Sequence, residues 1–113
     1  DTITIGDCGL PIPENVSRID LSLTFGEPPF IRVLELVLAD MKVEKITFAE
    51  EIKTQNPDML DKINMLFNGQ NVEVEFVPHT EFKNKTKNSC AIIRTGETTP
   101  YANIILKSGC IFG

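Results

Sequence analysis

The sequence predicts an α/β domain of three layers (α/β/α) with a central mixed, mostly parallel sheet. Two observations carry this. Short runs of β-branched and aliphatic residues, Thr2-Ile3-Thr4-Ile5, Val43 to Ala49, Val72 to Val77, Cys90-Ala91-Ile92-Ile93 and Ile104-Ile105-Leu106, read as strands. Between several of them lie amphipathic stretches with apolar residues three and four apart, and strands alternating with such helices imply an α/β architecture. The 113 residues, 42% hydrophobic and 24% charged, suffice for one domain (1–113) with a modest core and no staples.

The first strand runs into Gly6-Asp7-Cys8-Gly9-Leu10-Pro11-Ile12-Pro13, where two glycines and two prolines stop it at once. Asp7 is therefore delivered at the carboxyl end of a strand, the usual place for ligand-binding groups in α/β sheets. The competing reading is a turn aspartate bonded to its own backbone. Glu14 to Asp20 is polar with isolated apolar residues and reads as irregular. Leu21 to Phe25 alternates and reads as a short strand, ended by Gly26-Glu27-Pro28-Pro29. A helix follows, with proline in its first turn and Phe30, Val33, Leu34, Val37 and Met41 on one buried face.

After the strand over 43–49 come the neighbouring carboxylates Glu50 and Glu51. Adjacent residues point in different directions, so this pair reads as a solvated face or subunit contact rather than an acid–base couple. Asn56-Pro57-Asp58 is a helix start: a cap residue, proline at the first position and an acid in the first turn. Met59, Leu60, Ile63, Leu66 and Phe67 form its buried stripe. The strand over 72–77, alternating with Glu73 and Glu75, leads through Pro78 and His79 into a short charged helix from about Thr80 to Lys87. Arg94 to Pro100 is a loop, and Tyr101-Ala102-Asn103 leads into the last strand.

The net charge of −5, with no basic stripe, argues against a nucleic-acid partner. No apolar run approaches the roughly 20 residues of a membrane span. Cys8, Cys90 and Cys110 are odd in number and lack CxxC spacing, which indicates neither a disulfide framework nor a zinc site. Three free thiols suit a reducing compartment, so a cytoplasmic location is expected. No G-x-G-x-x-G or Walker pattern is present, and no cofactor or metal is expected. A strand that begins at residue 2 leaves no lead-in, so the chain is expected to be the trimmed part of something longer, lacking an N-terminal segment.

Besides Asp7, four residues stand out for chemistry. His79 is the only histidine, and imidazole can give or take a proton near neutrality. Lys83 lies four residues on, hence on the same helix face; a solvated surface pair is the competing reading. Tyr101, the only tyrosine, stands two residues before Asn103, and phenol and carboxamide together suit recognition of hydroxyls. The alternative is a core ring with a wet tip and a turn asparagine. Asp7, His79, Tyr101 and Asn103 all sit at strand–loop junctions, and that shared placement marks them as a candidate site.

The strings Asp7-Cys8-Gly9-Leu10-Pro11-Ile12-Pro13, Ser17-Arg18-Ile19-Asp20, Ala49-Glu50-Glu51-Ile52-Lys53, His79-Thr80-Glu81-Phe82-Lys83, Arg94-Thr95-Gly96-Glu97 and Pro100 to Leu106 resemble the D-ribose pyranase family over essentially the whole chain. The related L-fucose mutarotases share the layout, but Leu10-Pro11-Ile12-Pro13 and His79 to Lys83 point to the ribose branch. The resemblance implies a cofactor-free cytoplasmic isomerase that interconverts the pyranose and furanose forms of D-ribose. It also implies a homo-oligomeric ring, a pentamer or decamer, with active sites at subunit contacts. Family substrate-binding positions carry over onto Asp7, His79, Lys83, Tyr101, Ala102 and Asn103, with His79 also catalytic. The family's catalytic acid is a histidine that the resemblance places just upstream of Asp1, outside this chain. Cys8 stands where relatives carry another small residue.

Three other readings use the same residues. A non-enzymatic sugar sensor would bind hydroxyls without turnover, and a mutarotase would act on the anomers of another monosaccharide. A phospho-acceptor domain also ends a strand on an aspartate, but Asp7 has no acidic neighbour and Lys107 precedes a serine rather than a proline.

Overall fold

The computed structural model describes residues 1–109. In chain order they form β1 (Thr2–Gly6), β2 (Ser17–Asp20), α1 (Phe30–Leu38), β3 (Val43–Ala49), α2 (Ile52–Gln55), α3 (Pro57–Leu66), β4 (Glu73–Val77), α4 (His79–Thr86), β5 (Ala91–Arg94) and β6 (Ile104–Ser108). The strands make one sheet of order β2-β5-β1-β6-β3-β4. β1–β5, β2–β5 and β3–β4 are parallel, whereas β6 runs antiparallel to both neighbours, β1 and β3. The sheet is thus mixed and mostly parallel, as the sequence predicts.

Strand alternation sorts the apolar side chains into two layers. Ile5, Ile46, Phe48, Ile93, Ile104 and Leu106 pack with Phe30, Val33 and Leu34 of α1, Ile52 of α2, and Met59 and Ile63 of α3. Ala49, Val77, Ile92 and Ile105 face the other way, against Leu10, Val16 and Phe82 of α4. Full burial of each large aliphatic or aromatic side chain contributes roughly 1.5–3 kcal/mol, so the larger cluster, under three helices, dominates stability. Val43 shares a face with Ile46 because the register shifts between Val43 and Lys45. Such a shift reverses the parity of every later residue.

Two expectations change. Ser17 to Asp20, read as irregular, is strand β2: it pairs in parallel with Ala91 to Arg94 at the sheet edge. All four residues are exposed, so burial leaves no periodic trace in the sequence. Leu21 to Phe25, read as a strand, is not one. Its partner strand ends at Arg94, whose carbonyl accepts the Leu21 N–H (2.8 Å), and beyond that only Thr24 and Glu27 form a bridge. Leu23 and Phe25, whose alternation suggested the strand, are each 85% exposed. Cys8 is half-buried and Cys90 exposed, both as free thiols; Cys110 lies outside the described residues. Among the described residues no helix is long and apolar enough to cross a membrane.

Candidate functional site

β1, α4 and the lead-in to β6 bring Asp7, His79, Tyr101 and Asn103 to a single cleft of about 330 Å³, completed by Gly9, Leu10, Pro11 and Pro100. The other two sequence-predicted positions are not among its lining residues. Lys83 is exposed on α4, and Ala102 is fully buried beneath the loop. A larger groove of about 640 Å³ lies beside the start of β1 and α1, but its walls are largely aliphatic (Ile3, Val33, Val37, Met41, Ile93) and it holds none of the four.

Asp7 is fixed from both sides. Its backbone N–H donates to Asn103 Oδ1 (2.9 Å), and its Oδ1 accepts the N–H of Gly9 (3.0 Å). The turn reading of Asp7 is therefore correct as local structure, and it leaves the carboxylate lining the cleft. This crossing needs glycine at position 6, because a Cβ there would collide with the Leu10 side chain and press on Asn103 Oδ1. Burial raises the Asp7 pKa above its ordinary value. The Gly9 N–H, the charge of His79, the Leu10 N–H and the Asn103 side chain oppose that rise without cancelling it. Asn103, 2% exposed, spends its carbonyl oxygen on the Asp7 backbone. Its amide nitrogen carries two further donor hydrogens.

His79 is the first residue of α4. Its backbone N–H donates to both carboxylate oxygens of Glu51 (3.0 and 3.2 Å), so a residue on another segment caps this helix. Its ring meets Tyr101 edge-on, with centroids 5.1 Å apart and planes at 86°. Nδ1 is buried without a hydrogen-bond partner. A buried polar atom so placed is costly unless something satisfies it, and a ligand hydroxyl in the cleft has the right chemistry.

Three residues that matter here escape the sequence reading. In sequence Glu51 reads as a solvated face or subunit contact, yet its carboxylate holds the His79 backbone N–H. Asn56 reads in sequence as a helix cap, yet its side chain makes no cap bond; its Nδ2 donates instead to the Pro100 carbonyl (2.9 Å) and Thr99 Oγ1 (3.0 Å). Glu97 accepts the Phe30 N–H at the start of α1 (3.0 Å) and ties down Thr99. No local signal marks such partners, because each acts across the fold. Among the described residues no three His, Cys, Asp or Glu side chains group closely enough to hold a metal ion.

Comparison with known proteins gives a consistent result. The model of the RbsD / FucU transport protein family matches residues 1–111. D-ribose pyranase of Geobacillus kaustophilus is 57% identical over 112 residues, covering 99% of this chain and 81% of that protein. D-ribose pyranase of Geobacillus thermodenitrificans is 56% identical over 112 residues, covering 99% and 83%. Among solved structures, Bacillus subtilis RbsD complexed with D-ribose superposes with a TM-score of 0.93 at 46% identity, covering 99% of this chain and 84% of that one.

Proposed function

The chain belongs to the RbsD / FucU family, and from that premise we propose that it is a D-ribose pyranase, an isomerase interconverting the pyranose and furanose forms of the free sugar. One observation carries the reading beyond likeness: Asp7, His79 and the Tyr101–Asn103 pair, from three separate stretches of the sequence, line one cleft of about 330 Å³ whose polar groups are those a polyol needs. Support for the substrate comes from relatives named D-ribose pyranase and from a structural neighbour complexed with D-ribose.

The chemistry asks for little beyond proton placement. Opening the pyranose protonates the ring oxygen O5, removes the proton from the anomeric hydroxyl, breaks C1–O5 and forms the C1 aldehyde. Rotation then brings O4 to C1; as C1–O4 forms, O4 gives up its proton and the carbonyl oxygen regains one. Nothing is oxidised or reduced, and no group leaves. In our reading His79 carries one of these proton transfers, a role worth roughly 10²–10⁴-fold in rate. Asp7, Tyr101 and Asn103 hold the sugar hydroxyls.

We further propose a homo-oligomer working in the cytoplasm. The oligomer is supported by the exposed side chains of Ile19, Leu21, Leu23 and Phe25 beside the open edge of β2. The location is supported by the free thiols of Cys8 and Cys90. Saturation-transfer NMR on ribose tests the activity: exchange between pyranose and furanose signals should accelerate with added protein. Binding without acceleration would make the chain a sugar sensor instead.

A further inference from the structure

Tyr101 is the only non-glycine among the described residues with a left-handed backbone (φ 56°). A side chain there crowds the following carbonyl, so the conformation persists only where its surroundings enforce it. The enforcing contacts are visible. On one side Asn56 Nδ2 donates to the carbonyl of Pro100, the peptide that leads into Tyr101 (2.9 Å), and to Thr99 Oγ1 (3.0 Å). On the other, the Tyr101 carbonyl accepts the N–H of the buried Asn103 (2.8 Å). Thr99 is anchored in turn: its hydroxyl donates to Glu97 Oε2 (2.8 Å), while Glu97 Oε1 takes the Phe30 N–H (3.0 Å). The strap from Glu97 to Tyr101 is thereby pinned to the first residue of α1 and to the residue just before α3.

Asn56 is a good capping residue placed just before α3, yet its side chain leaves that helix end uncapped. We propose that Asn56 is a positioning residue for the sugar: by gripping the Pro100 carbonyl it holds Tyr101 in its left-handed conformation, with the ring edge-on to His79 at the cleft. Released from that grip, Tyr101 relaxes to an ordinary backbone and its ring leaves His79. The identity of the sugar rests on the reading of the protein as a D-ribose pyranase; the conformational role of Asn56 does not.

Asn56→Asp separates the two roles that the residue could play. Asparagine and aspartate cap helices about equally well, but aspartate has no N–H to give to Pro100. The sole tyrosine and the sole histidine make both rings unambiguous in NMR spectra. Asn56→Asp should keep the thermal midpoint within a few degrees of wild type, shift the Tyr101 backbone coupling and ring signals before any sugar is added, and weaken ribose binding about tenfold, the effect of one lost hydrogen bond. Asn56→Ala should weaken binding equally; if it fails to fold, the aspartate variant still decides. Unchanged Tyr101 signals in Asn56→Asp, or wild-type ribose affinity with Tyr101 displaced, would overturn the proposal. Failure of the wild-type protein itself to bind ribose would instead remove the functional reading, and the sugar-free Tyr101 signals would still test the role of Asn56.

Discussion

The apolar side chains around α1 and α3 and those at the cleft border the same sheet but are in opposite physical states. Phe30, Leu34, Phe48, Ile63 and Leu106 are wholly buried, apolar and ordinary in backbone. At the cleft, Asp7 is pushed toward its protonated form by burial, Tyr101 is held left-handed, and His79 Nδ1 has no partner. Each of these costs folding free energy locally, and the apolar cluster offsets them. Stability and chemistry therefore rest on different residues, which makes the comparison breakable by mutation.

The largest effect is expected in the core. Phe48→Ala should cost about 3–5 kcal/mol, from lost burial and the cavity left behind, read by denaturant unfolding; the fraction still folded should bind ribose normally. His79→Ala should reverse the pattern. Exchange of ribose forms should slow roughly 10²-fold or more, while stability changes by under about 1 kcal/mol, since the residue is only half-buried and its Nδ1 makes no hydrogen bond that the variant would lose. A collapse of the thermal midpoint in that variant would show His79 to be structural. Glu51→Ala removes the carboxylate that receives the His79 N–H. It should cost about 1 kcal/mol, as lost helix caps do, and Glu51→Gln should restore most of it.

Asp7→Asn sharpens the comparison most finely, because its two effects have opposite sign. The folded state raises the Asp7 pKa, so between pH 3.8 and that raised value it binds more protons than the unfolded chain. Wild-type stability accordingly falls as pH rises through that window and carries the penalty at neutral pH. Asp7→Asn removes the ionisation and should be slightly more stable than wild type at pH 7, with the difference vanishing below pH 3.8, yet it should bind ribose less tightly. Thermal melts at several pH values, with a ribose titration at pH 7, read both.

What the sequence reveals follows the same division. β1, β3, β4, β5 and β6 are legible as short runs rich in β-branched and aliphatic residues, several of them buried on both faces of the sheet, and the apolar faces of α1 and α3 because one-sided burial stamps a period of 3.6 on them. β2 is not, because an exposed edge strand carries no such stamp, and the alternation of Leu21, Leu23 and Phe25 misleads because those side chains project from an unpaired segment. The cleft residues are legible through glycine and proline, which punctuate the strand ends around Asp7, His79 and Tyr101. Their supports are not: Glu51 reaches His79 across 28 positions, Asn56 reaches Pro100 across 44, and Glu97 reaches Phe30 across 67. Such partners are chosen by the fold, and only the fold discloses them.

A ribose titration followed at the lone imidazole and the lone phenol tests the central claim, that these four residues form one sugar site. The His79 and Tyr101 ring signals should shift together and saturate at a single ribose concentration, with the Asp7 and Asn103 amides following the same curve. Saturable ribose binding that leaves both rings unmoved would place the sugar elsewhere and contradict the account.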